Sequence, residues 1–271
     1  MTPADVRRIS TLAGIADPGD NFFASWKLAL QCPMSESNLR LLAIGAHPDD
    51  IEFGCGGVLL AEAARGSEIS LCVCSRGEAG SNGTPNEREA EACTAAQLLG
   101  ATIQFLELGG DSHLEVSAAN NIAVARQIRV ARPDVLLAPV PSSGQHPDHI
   151  VVSQLCRNAA RLARYGGLSE LRDLPPHAIN HHFEYAVTSG AEPGHHQSTI
   201  RVDISEQFAR WVELMECHRT QLRTRRYLEL QTARARVCGL EAGVEYAQAL
   251  YATDDLVITS LAELPASVRL F

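Results

Sequence analysis

The chain has 271 residues, 45% of them hydrophobic, which is enough to bury a substantial core in one α/β domain, so no second domain is required. A formal charge of −9 argues against the basic face that a nucleic-acid partner needs. No apolar run approaches the ~18 residues of a spanning helix, and the start Met1–Arg8 lacks an apolar signal core, so a cytoplasmic chain without a membrane partner is expected.

Residues 1–39 precede the first strand and hold two short helical patterns, near 3–13 and 20–30, the second with Phe22, Phe23 and Trp26. They read as an N-terminal extension packed on or near a single domain that covers 40–271. Leu41-Leu42-Ala43-Ile44-Gly45 is a buried strand, and the polar stretch Ala46-His47-Pro48-Asp49-Asp50-Ile51-Glu52 begins where it ends. In an open α/β sheet, chemistry gathers outside the carboxyl ends of the strands. His47 and Asp50 offer one nitrogen and one oxygen donor suited to zinc, with Asp49 left over as an acid or base. Phe53 to Arg65 reads as a helix entered through glycines. Gly54-Cys55-Gly56-Gly57 lacks the Gly-x-Gly-x-x-Gly spacing of a dinucleotide loop.

The strand Ile69–Cys74 is followed by Arg76 and Glu78, which should reach the same rim as a guanidinium and a carboxylate fit for sugar hydroxyls. Thr84-Pro85-Asn86-Glu87 supplies an N-cap, a first-turn proline and a capping-box acid for a helix that runs to Leu99 and stops at Gly100. Strands are expected near 102–107, 134–140, 181–188 and 198–203, and helices near 117–132, 148–164, 203–222 and 240–251. The alternation predicts an α/β fold, a Rossmann-like three-layer sandwich with a mostly parallel sheet.

A second cluster, His146-Pro147-Asp148-His149, follows the strand Asp134–Ala138. Two His/Asp clusters behind two buried strands point to one metal site with spare acid/base groups. The pairs His181-His182 and His195-His196 are poor bidentate arrangements, because neighbouring strand residues face opposite ways, and they read as loop and rim residues of a variable substrate entrance around 165–200. Eight cysteines without a Cys-x-x-Cys pair read as reduced buried thiols, and Lys27 is the sole lysine, so thiolate-metal and lysine chemistry have no candidates.

These motifs, with Ser75-Arg76-Gly77-Glu78-Ala79-Gly80, Arg88-Glu89-Ala90, Leu99-Gly100 and the late His218-Arg219-Thr220-Gln221, resemble the PIG-L/LmbE family of zinc-dependent N-deacetylases over roughly 40–221. The resemblance implies one zinc per chain held by His47, Asp50 and His149, with Asp49 as general base. It places His146 as oxyanion stabiliser or proton donor and Asp148 as the group orienting an imidazole. Arg76, Glu78 and His218 become candidate substrate contacts, although Thr220 and Trp211 depart from the family's late pattern. Within the family, the chain is similar to deacetylases that trim N-acetylglucosamine on teicoplanin-type glycopeptide antibiotic precursors. The implied partner is thus an N-acetylglucosaminyl glycopeptide (pseudo)aglycone or another small N-acetyl sugar conjugate. A small thiol precursor or a sugar nucleotide is the alternative substrate. A sugar-binding protein without turnover is the alternative outside catalysis, and the presence of Asp49 argues against it.

Overall fold

Strands that are apolar on both faces must be covered on both faces, and this dictates the architecture of the chain. A computed structural model describes residues 38–193, 198–261 and 264. Along β1 (Arg40–Gly45), Leu41 and Ala43 point into one apolar core while Leu42 and Ile44 point into the other. The first core is closed by α1 (Asp50–Ala64), α2 (Pro85–Leu99), α5 (Phe208–Glu216) and α6 (Tyr227–Ala242). The second is closed by α3 (Ala118–Ala131) and α4 (Pro147–Ala163). Between them runs a seven-stranded sheet completed by β2 (Glu68–Val73), β3 (Thr102–Phe105), β4 (Val135–Pro139), β5 (His181–Tyr185), β6 (Thr199–Asp203) and β7 (Ala247–Ala252). Its order is β3-β2-β1-β4-β5-β7-β6, with β1 to β5 parallel and β7 antiparallel to both neighbours. The α/β sandwich expected from the sequence is therefore present.

The order reverses between β1 and β4, which pair as Leu41↔Val135, Leu42↔Leu136 and Ala43↔Leu137. Such a switch point leaves a crevice outside the carboxyl ends of the two strands, because their following loops depart to opposite sides. Both His/Asp clusters open onto it. Gly54, Gly56 and Gly57 lie inside α1 and not in an entry loop. A Cβ at Gly54 would stand 2.3 Å from the Tyr185 ring, one at Gly56 2.9 Å from Leu214, and one at Gly57 2.7 Å from Ile204. The glycines thus let α1 sit close against the sheet and α5, which fixes the height of its first turn over the crevice.

The Thr84 capping box is formed, with Glu87 N–H donating to Thr84 Oγ1 at 3.3 Å and Thr84 N–H to Glu87 Oε2 at 2.7 Å, and Gly100 ends α2 at φ 75°. Two helix expectations fail. The alanine-rich 240–251 is not a helix: α6 stops at Ala242 and Ala247–Ala252 is β7, where pairing with β5 and β6 overrides the helical preference of alanine. The stretch 203–222 contains only the nine-residue α5 between two short 3-10 turns. His181 and His182 open β5 opposite Val135 and Leu136, at the end of the sheet away from the crevice, and are not rim residues. His195, His196 and residues 1–37, including the two expected short helices, lie outside the described residues. All the elements named belong to the unit Asn38–Val257, while Ile258–Leu264 falls in a second unit. Among the described residues no helix is long and apolar enough to cross a membrane.

Arg129 is 2% exposed, and its guanidinium donates to the carbonyls of Ala163 (3.0 Å), Leu171 (2.6 Å), Leu174 (2.9 Å) and Tyr165 (2.6 Å), pinning the chain that leads from α4 towards β5. Arg129→Met should cost about 3 kcal/mol by stranding these acceptors, which calorimetry would read as a Tm lowered by roughly 6–12 °C. His182 supplies a pH-dependent term, since burial and then Arg157 lower its imidazole to about 4. An unfolded histidine titrates near ~6.5, so the unfolded chain takes up a proton that the folded chain refuses, and stability is lost as pH falls from ~6.5 towards ~4. In urea unfolding, His182→Asn should narrow the stability difference between pH 7 and pH 5, and an unchanged difference would refute the assignment.

Candidate active site

The crevice is organised by Asp50, the first residue of α1. Its Oδ2 accepts the backbone N–H groups of Ala46 (3.0 Å) and His47 (2.9 Å) and lies 3.4 Å from His47 Nδ1. Its Oδ1 lies 3.1 Å from Nε2 of His149, which α4 brings across from the β4 side. The other nitrogen of His149 faces Gln145 Oε1 at 3.0 Å, which fixes the ring and leaves Nε2 for the crevice. His47 Nε2 meets Asp111 Oδ1 at 3.2 Å and Asp148 Oδ2 at 3.3 Å. Asp111 was not singled out in the sequence. It arrives on a loop bent by left-handed Gly109, Gly110 and Ser112, and Ser112 N–H also donates to Asp148 Oδ2 at 2.7 Å. Glycine pairs followed by an acid are the signal that marks such a loop.

Among the described residues two donor sets lie close enough to hold an ion, His47–Asp50–His149 and His47–Asp111–His146–Asp148, each with its atoms within 4.8 Å of one another. One neutral imidazole offers one lone pair, so His47 serves one set only. The first set directs Nδ1 inward and leaves Nε2–H for Asp111 and Asp148, the usual arrangement of a carboxylate behind a ligating histidine. It is the set that fits a nitrogen- and oxygen-bound divalent ion, and all three residues are buried. The charge balance agrees. Burial disfavours a charged His47, yet Asp50, Asp111 and Asp148 outweigh it and raise the imidazole to about 12. Asp50 is held well below the usual carboxylate range, against its burial, by His149 and His47, and Asp111 falls to about 2, mainly through its hydrogen bond with His47. The pocket calls for positive charge.

Asp49 is the N-cap residue of α1 with φ 126° and ψ −28°, a conformation that costs a non-glycine residue about 1–3 kcal/mol and tends to mark functional sites. Burial and the adjacent Asp50 push its carboxyl up to about 7, against the opposing pull of Arg88, His218 and His47. His146, with 41% side-chain exposure, is the open imidazole of the crevice, 3.9 Å from Asp111 Oδ1 by Nε2 and 4.0 Å from Asp148 Oδ2 by Nδ1. His47, Asp49, Asp50, His146, Asp148 and His149 are therefore brought together. Glu78 joins them at the edge, accepting from Asp111 N–H at 2.8 Å. Arg76 turns elsewhere, to Glu89 (2.6 Å) and Glu107, with its guanidinium over Phe105. His218 is fully buried beside Glu52 Oε2 at 3.4 Å and packs on Phe53, so it has no face open to a ligand. Thr220 donates its N–H and hydroxyl to Glu91 at 2.9 and 2.6 Å, and Trp211 Nε1–H donates to Glu52 O at 2.8 Å, which explains both departures as packing.

Residues 42–160 match the family model "PIG-L: GlcNAc-PI de-N-acetylase". "Uncharacterized deacetylase YaiS" of Escherichia coli is 34% identical over 136 residues, 47% of this chain and 72% of that protein. The chain belongs to the PIG-L family. The 1D-myo-inositol 2-acetamido-2-deoxy-alpha-D-glucopyranoside deacetylase of Segniliparus rotundus is 27% identical over 244 residues, 68% of this chain and 77% of that enzyme. Among solved structures, a conserved protein of Thermus thermophilus superposes with a TM-score of 0.71 at 30% identity, covering 84% of this chain and all of that one. A deacetylase of the teicoplanin biosynthesis pathway shares the fold at a TM-score of 0.55 and 16% identity, over 80% of this chain and 100% of its own. Membership in the PIG-L family makes this chain a hydrolase of amides.

Proposed function

We propose that the chain removes the acetyl group from an N-acetylglucosaminyl moiety in a metal-dependent hydrolysis that yields acetate and a free amine. The convergence of His47, Asp49, Asp50, His146 and His149 at the β1/β4 crevice carries this reading. His47, Asp50 and His149 would hold one ion per chain, and zinc suits their two nitrogens and one oxygen. When bound, the ion supplies Lewis acidity, which makes water nucleophilic near neutral pH and polarises an amide carbonyl.

The remaining work falls to the residues around it. Asp49 accepts the proton of the attacking water, a task for which a carboxyl raised towards neutrality is suited. His146 stands on the open side, where it stabilises the developing oxyanion or hands a proton to the departing amine, with Asp111 and Asp148 limiting the turn of its ring. Glu78 is the rim carboxylate placed to meet a sugar hydroxyl. Arg76, paired with Glu89 and Glu107, and His218, buried beside Glu52 and Phe53, stand further off.

The inositol-linked substrate in the names of the sequence relatives supports a small N-acetylglucosaminyl conjugate as acceptor. The glycopeptide deacetylases share only the fold, so a glycopeptide (pseudo)aglycone is the narrower variant of this reading. Metal-stripped protein restored with zinc should release acetate from N-acetylglucosaminyl-inositol, with a glycopeptide bearing N-acetylglucosamine and free N-acetylglucosamine assayed alongside. Release from the glycopeptide alone would reverse the preference, and equal release without metal would refute the mechanism. His149→Ala should fail to retain a stoichiometric ion by elemental analysis. Asp49→Asn should keep the ion and lose on the order of 10²- to 10⁴-fold in kcat, the usual share of a general base, so undiminished turnover would remove Asp49 from that role.

A further inference from the structure

A helix packed on a sheet needs apolar residues on one face, but α6 carries two such faces. Gln231, Ala235 and Gly239 are the buried row on the sheet side, where a Cβ at Gly239 would stand 2.6 Å from Glu245 O. Leu230, Ala233, Val237 and Leu240 form a second row that is exposed to solvent, Leu230 by 41%, Val237 by 56% and Leu240 by 62%. Their spacing of three, four and three residues is the a/d repeat of a coiled coil, with Leu230 and Val237 at a and Ala233 and Leu240 at d. The flanks of the row are charged. Glu229 and Arg236 fall at g, while Arg234 and Glu241 fall at e. Within the chain Glu229 meets Arg226, Arg236 donates to Glu245 O, Arg234 meets Glu192 at 2.6 Å and Glu241 meets Arg201 at 2.5 Å.

We infer that the exposed row of α6 is the seam of a homodimer, in which a second copy of this chain lays the same helix alongside in parallel. This goes beyond the proposed chemistry and does not depend on it. Charge decides both the occupant and the direction. In a parallel pair each g residue faces the e residue five positions further on in the other copy, which sets Glu229 against the partner's Arg234 and Arg236 against the partner's Glu241. The two-fold axis repeats both contacts, and every one of them joins opposite charges. An antiparallel pair would instead bring Arg236 against its own copy near the axis. Valine or another β-branched residue at a with leucine at d also favours two strands, as Val237 and Leu240 provide. Two heptads alone bury less than the ~800 Å² per partner of a stable interface. Apolar surface continues beside the seam, where Leu230 and Val237 share with Pro193, Ala249 and Tyr251 the lining of a cavity of about 560 Å³.

The test is sedimentation of the full chain at about 1 to 100 μM, comparing the unmodified protein with Val237→Asp, Arg236→Glu and the Arg236→Glu/Glu241→Arg double variant. A dimer is expected. Val237→Asp, which puts two carboxylates into the seam, should weaken it by ~100-fold or more with unchanged circular dichroism. Arg236→Glu sets like charges against each other and should raise the dimer Kd on the order of 10-fold, and the double variant should return it to within about 3-fold of the unmodified value. Arg236 and Glu241 have different partners within one chain, so that recovery reports contact between copies. A monomer throughout the range would overturn the inference, and a Tm lowered by Val237→Asp in that monomer would show the row to be covered by the chain's own residues. An assembly that Val237→Asp leaves intact would also overturn it, by placing the contact on another face. Dissociation by Val237→Asp without recovery in the double variant would overturn the parallel pairing. If Val237→Asp does not fold, Leu240→Lys on the same row is read in the same way.

Discussion

The two hydrogen bonds from Ala46 and His47 N–H to Asp50 Oδ2 are the interaction on which the crevice depends. They fold the end of β1 back over the first turn of α1, so that one oxygen of Asp50 is committed to its own loop while the other is free to meet His149. A carboxylate with both oxygens assigned cannot rotate, and His47 and His149 inherit that fixity through their contacts with it. The glycines of α1 serve the same end at longer range, since the closeness of the helix to Tyr185 and Trp211 sets where Asp50 stands. Geometry that looks local to four residues is thus held by packing two turns further along the helix.

Around that carboxylate the protein accumulates negative charge. Asp49, Asp50, Asp111 and Asp148 crowd the crevice, and among the described residues Arg88 brings a guanidinium to 3.6 Å from Asp49. Burying so many carboxylates is costly unless a further positive charge joins them. The left-handed Asp49 adds backbone strain at the same place. Charge excess and strain together describe a site whose stability is lower than its surroundings would allow and whose chemistry gains from it. The supporting scaffold makes up the difference with conventional means, such as the fourfold carbonyl anchoring of Arg129 and the capping box of α2.

Much of this was legible in the chain because local signals and the global fold agree. Apolar runs followed by His-Pro-Asp, directly at His47 and after a short loop at His146, brought both clusters to one end of the sheet, and Thr84 with Glu87 marked the start of α2. What escaped notice has a physical cause in each case. Asp111 and Gln145 act through loop geometry that no periodicity encodes. The antiparallel β7 was hidden because Ala247–Ala252 has a helical composition and becomes a strand only through its neighbours. Arg76 shows the reverse failure: a residue that leaves a strand towards the rim was captured by two glutamates before reaching it.

The pairing of β1 with β4 has one more implication. The strands lie side by side, yet Asp50 and His149 are 99 positions apart, and at the opposite end of the same pair Arg40 reaches Asp134 across 94. In an unfolded chain the two half-sites are dilute with respect to each other, so an ion has almost nothing to bind until the middle of the sheet has closed. Binding free energy is then folding free energy, concentrated on the one seam where the chain doubles back on itself. An ion held there as proposed would be a clasp on the fold, and a chelator a mild denaturant aimed at a single strand pair.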